Sequence, residues 1–313
     1  MNQPTTSGTA AQEATAERAF PRRPWRIALF AALGGFLLTA VWSAPFADHV
    51  IGESVANGLL DHDAKETPIA GITAGVAFAF VTGLAGTFTA CNIAVFSAMA
   101  PLAGGAGRRH RLGAVLRQLP WLGLGMAATS GAYGVIVGLV GTGMPQFDEA
   151  SPAPGTLGGR LAQSAMVFGA IGLVMVYLGL AAVGIVRDLF DRRPYARLVF
   201  LGALVGAFLV GRPFPLFRAL FRGVAESRDP LYGAAVFVLQ SLGNVVVMAV
   251  LLLLTGILAG DRVGHWLTAR PSRLATLTGA GLVTAGVFMV LYWDVRLLAM
   301  RGIIPWYPLA PWV

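Results

Sequence analysis

The sequence predicts an all-α fold, a polytopic bundle of about seven membrane-spanning helices. Its 313 residues are 56% hydrophobic, and the mean hydropathy is +0.69. Only 12% of the residues are charged, about half the share of a typical soluble domain. Apolar runs recur along the chain and reach the length of about 20 residues that a spanning helix needs. This composition excludes a soluble globular enzyme, and it excludes disorder outside short tails.

The first elements are a polar tail and one additional helix. Residues 1–25 are predicted to be a disordered cytoplasmic tail that ends in a basic cluster. Residues 26–47 are predicted to be an extra transmembrane helix. A basic cluster before an apolar run is also typical of a signal peptide. The run is longer than the apolar region of a signal peptide, which favours a retained helix, although cleavage stays an open alternative.

Six further apolar runs follow, at 69–103, 119–143, 161–186, 198–221, 231–259 and 274–293. They divide into a first three-helix half, 69–186, and a second, 198–293, with an extracytoplasmic tail at 294–313. Because each half has an odd number of spans, the two halves run in opposite directions. The prediction is therefore an inverted 3+3 repeat behind one extra helix.

The charges predict the orientation of the chain. With seven spans, fifteen basic residues fall on the side of the N-terminus and seven on the opposite side. Basic residues are enriched in cytoplasmic loops, so we expect the N-terminus in the cytoplasm and the C-terminus outside.

Of the 23 basic residues, only Lys65 is a lysine, which is typical of a high-GC bacterial source and indicates the cell membrane. The net charge of +8 does not indicate nucleic-acid binding, because the charges lie in loops; the expected surroundings are the lipid bilayer.

Two runs are predicted to contain interrupted helices. The run at 69–103 is too long for one straight span and carries Gly83 and Gly86 in its middle. The run at 198–221 contains Pro213 and Pro215. Irregular backbone at membrane depth is tolerated where it is enclosed by protein or lines a wet cavity. Paired interrupted helices in inverted halves indicate a binding site near the midplane.

Arg212 is the one charge that seven spans leave at bilayer depth. Such a group is costly in a membrane and is a functional candidate by default. The alternative is that the two prolines break the helix and let the arginine reach water.

Gln240 and Asn244 are four residues apart and share one helix face. They are interpreted either as hydrogen-bonding links between helices or as the lining of a cavity. The substrate or cavity candidates are Thr87, Thr89, Asn92, Arg212, Pro213, Gln240 and Asn244. The four histidines fall in loops without metal-ligand spacing, so no metal site and no cofactor is predicted.

Cys91 is the only cysteine, which excludes a disulfide framework within the chain. It lies in Thr87-Phe88-Thr89-Ala90-Cys91-Asn92, within the polar middle of an interrupted run. A thiol in such surroundings is a candidate nucleophile. The alternative is an inert, buried, small apolar residue.

The segment Gly83-Leu84-Ala85-Gly86-Thr87-Phe88-Thr89-Ala90-Cys91 resembles the first Gly-rich, Pro-Cys segment of the CcdA/DsbD transmembrane family. Leu242-Gly243 is similar to a Leu-Gly of that family's fifth core helix, and Pro213-Phe214 takes the place of its second Pro-Cys. Gly83 precedes Cys91 by eight residues, as Gly206 precedes Phe214. The resemblance covers roughly 69–293 and implies two inverted three-helix halves.

The same resemblance implies thiol-disulfide electron transfer or maturation of exported, cytochrome c-like proteins. Cys91 would be the catalytic residue, and the partner a thioredoxin-like or exported thiol protein. Two departures weaken this, since Ala90 replaces the proline and Phe214 the second cysteine. Similar architecture in LysE-type transporters implies the alternative, a secondary transporter of a small solute or metal ion. A membrane scaffold is a third possibility, and whether the chain is an enzyme stays open.

Overall fold

The structure is a computed structural model that describes residues 20–42, 54–60, 71–85, 108–147, 153–191, 193–211, 215–258 and 270–308. Within these ranges the chain is helical apart from short turns, and it contains no strand. The predicted all-α fold is therefore confirmed for the described chain.

Ten α-helices are described in chain order. They are α1 (Pro24–Val41), α2 (Ser54–Leu60), α3 (Gly71–Ala85), α4 (Arg108–Val140), α5 (Gly159–Ala182), α6 (Pro194–Gly211), α7 (Pro215–Ser227), α8 (Pro230–Leu258), α9 (Pro271–Met289) and α10 (Arg296–Met300). Two 3₁₀ turns, Gly141–Gly143 and Pro145–Phe147, lie between α4 and α5. A π-helical segment, Val290–Val295, joins α9 to α10.

Five single helices in the described chain are long and apolar enough to cross a membrane. They are Pro24–Val41, Leu116–Gly143, Gly159–Ala182, Pro230–Leu251 and Ser272–Met300. A sixth candidate span is the pair α6 and α7, bent by 82° between Gly211 and Leu216. The chain thus has the character of a multi-pass membrane protein, while the number of seven spans stays a prediction. The expected bend in the run 69–103 lies outside the described residues beyond Ala85.

Two helices extend beyond their predicted limits. Helix α4 begins at Arg108 rather than at 119 and continues through Pro120. The last span continues past 293 to Met300. A left-handed residue ends a helix, and the first such residue after the apolar run is Gly302, at φ 71°. Asp294, which the sequence placed in the tail, is therefore part of this span. The candidate span thus contains an acidic residue that the predicted run 274–293 left out.

Glycines set the closest helix crossings. A Cβ atom at Gly83 of α3 would overlap the main-chain oxygen of Gln240 in α8, and one at Gly202 of α6 would overlap that of Leu122 in α4. The matching contacts in the opposite sense join Gly243 to Phe80 and Gly125 to Val199. Corresponding residues of the two crossings are 118 or 119 positions apart. The first helix of each predicted half thus packs in a similar way on the second helix of the other predicted half.

This packing indicates a different alignment of the two predicted halves from the one that the residue spacing indicates. It pairs Gly83 with Gly202, whereas the spacing to Cys91 and Phe214 pairs Gly83 with Gly206. The two pairings differ by four residues, about one helical turn. A turn preserves the helix face, so the residue spacing alone could not distinguish them.

Candidate functional site

Most of the candidate residues from the sequence lie outside the described ranges. These are Thr87, Thr89, Cys91, Asn92, Arg212 and Pro213. Gln240 and Asn244 are described, and both lie in α8. The site is therefore built from α8 and from the helix ends that lead toward the two other segments.

Gln240 occupies the crossing of α3 and α8. It is fully buried, at 0% exposure, and neither its amide nitrogen nor its amide oxygen has a hydrogen-bond partner within the described chain. The next residue, Ser241, is 1% exposed, and its hydroxyl also has no partner there. Asn244 is buried one turn later and does take part in an interaction.

An unpaired buried amide is unusual in a folded protein. Leaving a buried polar group without a partner costs about 1–3 kcal/mol, and such groups commonly mark a function or an ordered water. The close contact between Gly83 and Gln240 is one that only glycine allows. The chain therefore brings two helices together around polar groups that the described residues leave unpaired.

The break between α6 and α7 has a polar cradle formed by Gln146, Gln163, Ser164 and Tyr133. Gln146 and Gln163 both donate to the main-chain oxygen of Val210, the latter at 2.8 Å. Ser164 donates to the main-chain oxygen of Gly211 at 2.8 Å. The last carbonyls of a helix lack partners within the helix. The cradle therefore stabilises the end of α6 inside the protein.

Tyr133 connects this cradle to α8. Its hydroxyl donates to Gln146 at 2.7 Å, and its ring lies 5.6 Å from that of Phe237. Phe237 also contacts Phe217, near the start of α7, at 5.5 Å between ring centroids. Gln240 follows Phe237 by three residues, about one turn of α8. The interrupted span and the unpaired amide are thus linked through one aromatic cluster.

The sequence predicted the break, but the cradle residues were missed. Pro213 and Pro215 indicated where α6 ends, whereas Gln146 and Gln163 stand 64 and 47 residues before Val210. Their polar type within largely apolar surroundings was the only available signal. A second missed residue, Asp294, lies just after the predicted end of the last apolar run.

The side chains of Gln240 and Ser241 can form hydrogen bonds with a bound molecule. An amide supplies two donor hydrogens and an acceptor oxygen, and a serine hydroxyl supplies one donor and further acceptors. Within the described ranges, no group of three or more histidine, cysteine, aspartate or glutamate side chains is placed to hold a metal ion. This arrangement suits a polar ligand or water molecules bound between helices.

No family model, no curated protein and no solved structure matches the chain. The similarity to the CcdA/DsbD family thus stays a prediction from the residues quoted above.

Proposed function

We propose that this chain is a membrane transporter for a small polar solute, with Gln240 in the solute site. The observation that carries the proposal is the fully buried Gln240 amide, which has no hydrogen-bond partner among the described residues. A solute that supplies these hydrogen bonds would remove the cost of burying the unpaired amide. This is the alternative that the sequence left open beside thiol exchange.

The reciprocal helix crossings support an inverted repeat. Glycines at matching positions bring α3 against α8 and α6 against α4. Transporters built from inverted repeats place the substrate at the repeat interface, where interrupted helices meet. Gln240 lies at the crossing of α3 and α8. The crossing of α6 and α4 lies at Gly202, and the same helix α6 is interrupted nine residues later, after Gly211.

The chemistry favours a solute that carries a carboxylate. Gln240 contributes neutral donors and an acceptor. Arg212 directly follows the end of α6, and a guanidinium offers a planar fork that matches a carboxylate. A small amino acid or dicarboxylate has both the anionic group and the further polar groups that these two residues would bind.

The test is solute binding by the purified protein in detergent. L-amino acids and small dicarboxylates are screened for an increase in the thermal unfolding midpoint, and the best solute is then followed into proteoliposomes. We expect a shift and uptake for wild type and loss of both in Gln240→Leu. The control Gln118→Leu, at a half-buried glutamine of α4, should retain both. Uptake that survives Gln240→Leu, or a panel without any effect, would overturn the proposal.

Thiol exchange at Cys91 is the second candidate function. Two observations support it. Helix α3 crosses α8 at Gln240, and the only cysteine of the sequence follows the last residue of α3, Ala85, by six positions. The Cys91 thiolate would attack a disulfide of an exported protein, form a mixed disulfide and release the second sulfur of that protein as a thiolate. A mixed disulfide trapped in membranes, absent from Cys91→Ser, would favour this function over transport. If both tests fail, the scaffold interpretation is favoured.

A further inference from the structure

The last membrane span contains a short π-helical segment, Val290–Val295. In a π-helix each bond spans one more residue than in an α-helix, and such segments occur frequently at functional sites. This one lies within the candidate span Ser272–Met300 and contains its only acidic residue, Asp294.

Asp294 lies directly on the backbone of α5. A Cβ atom at Gly169 would be 2.6 Å from Oδ2 of Asp294 and 3.2 Å from Oδ1. A larger residue at this position would require the carboxyl group to shift. The preceding residue of each helix, Phe168 before Gly169 and Trp293 before Asp294, has its ring stacked on the other at 4.6 Å between centroids. The neighbouring residues thus hold the carboxyl group between α5 and the π-helical segment.

No ion pair or hydrogen bond to Asp294 is present within the described ranges. The charged groups on the elements packed against this segment are Arg26 of α1, Arg160 of α5, Arg273 of α9, Arg296 of α10 and Arg301 after it. Arg296 lies over the Tyr292 ring at 4.6 Å, and Arg26 over Trp25 at 5.4 Å. Arg160, Arg273 and Arg301 have interactions of their own.

Tyr292 of the π-helical segment itself and two further tyrosines complete the titratable groups of this region. Tyr177 of α5 donates to the main-chain oxygen of Arg187, near the opposite end of that helix. Tyr307 donates to the main-chain oxygen of Thr39 at 3.4 Å. Burial raises the pKa of the Tyr307 phenol, and Arg296 opposes that shift. Arg296 therefore acts on Tyr292 and Tyr307, and the described basic groups leave the Asp294 carboxyl without a partner.

The buried indole N–H of Trp293, beside Asp294, also lacks an acceptor in the described chain. One turn of this span thus contains a donor and an acceptor that no described residue pairs. An ionisable group inside a membrane span is expensive and is commonly part of an ion or proton pathway.

We propose that Asp294 is a proton-binding site that exchanges a proton with water on the side where α10 ends. The carboxylate takes a proton from a hydronium ion, becomes neutral, and later returns that proton to water. A metal cation would need several oxygen ligands, whereas the described ranges contain no group of three acidic, histidine or cysteine side chains. The proposal is independent of which solute, if any, the chain transports.

The test uses dicyclohexylcarbodiimide, an apolar reagent that modifies protonated carboxyl groups, on the full protein in membranes. We expect an adduct on Asp294 by peptide mass spectrometry, with a yield that falls as pH rises from mildly acidic to mildly alkaline. Asp294→Asn should lose this adduct. The control Asp188→Asn should retain it, because Asp188 lies outside the spans and pairs with Arg197 at 3.6 Å.

Because the adduct is mapped on wild-type protein, the test does not depend on the folding of any variant. Absence of an adduct on Asp294, or a yield that does not change with pH, would overturn the proposal. Protection by sodium ions without a pH dependence would also overturn it, in favour of a metal-cation site.

Discussion

Close packing around Gln240 leaves this residue little room to move. Its own main chain contacts Gly83 so closely that a side chain there would clash, and its amide is buried without a partner in the described chain. Helix packing alone would favour an apolar residue here. A polar residue at this crossing therefore indicates a role other than stability.

The first prediction concerns the stability of Gln240→Leu. Removing an unpaired buried amide avoids a desolvation cost of about 1–3 kcal/mol, so the variant should unfold at a higher temperature than wild type. Thermal unfolding in detergent without added solute measures this, with Gln118→Leu as the control outside the crossing. A lower unfolding temperature for Gln240→Leu would identify the amide as a structural link.

Arg212 supplies the second prediction at this scale. If it binds the carboxylate of a solute, Arg212→Leu should leave the folded yield near that of wild type and abolish uptake. Arg212→Lys should restore only part of the uptake, because lysine lacks the planar fork of the guanidinium. A lower yield with unchanged uptake per folded molecule would show that the arginine only anchors the broken helix.

At the scale of elements, glycine placement determines which helices meet. In α4, Gly125 contacts the main chain of α6, whereas Gly123 has open space around it. Both glycines weaken the isolated helix to a similar degree, by about 1 kcal/mol relative to alanine. Comparing substitutions at these two glycines therefore separates the effect of helix propensity from the effect of packing.

The third prediction uses this pair. Gly125→Ala places a methyl group into the backbone of α6 and should destabilise the protein by about 1–3 kcal/mol. Gly123→Ala should be neutral or stabilising, because alanine favours the helix and meets nothing. Unfolding temperatures of the two variants give the comparison. Equal effects would contradict the helix crossing described above.

The interrupted span shows what local sequence can and cannot predict. Proline geometry indicated the end of α6, and the 82° bend lies at that place. The donors that cover the last carbonyls come from Gln163 of α5 and from Gln146 in the turn before it. Their role depends on tertiary proximity, which a pattern along one helix does not contain.

At the scale of the whole molecule, the apolar runs predicted the positions of the helices well, but not all of their ends. The run predicted at 231–259 corresponds to α8, because the length of an apolar run determines where a membrane-spanning helix forms. The extension to Met300 was missed, because Asp294 interrupts the apolar run but not the helix. Gln240 was identified as polar, but its lack of a partner depends on the packing of α3.

The fourth prediction concerns orientation. Fifteen basic residues on one side of the seven predicted spans and seven on the other predict that the N-terminus lies in the cytoplasm. Reporter fusions after Gly107 and after Gly155 should report the cytoplasm and the exterior, respectively. Both fusions on the same side would refute seven alternating spans.

The proposed transport requires that the buried site around Gln240 opens to water during the working cycle. Because Cys91 is the only cysteine, Cys91→Ser provides a background for a single engineered thiol. In that background, Gln240→Cys should react with a small, charged, water-soluble thiol reagent in intact membranes. Val236→Cys, one turn earlier and equally buried, should not react. Failure of Gln240→Cys to react, or equal reaction at both positions, would contradict a transport site at Gln240.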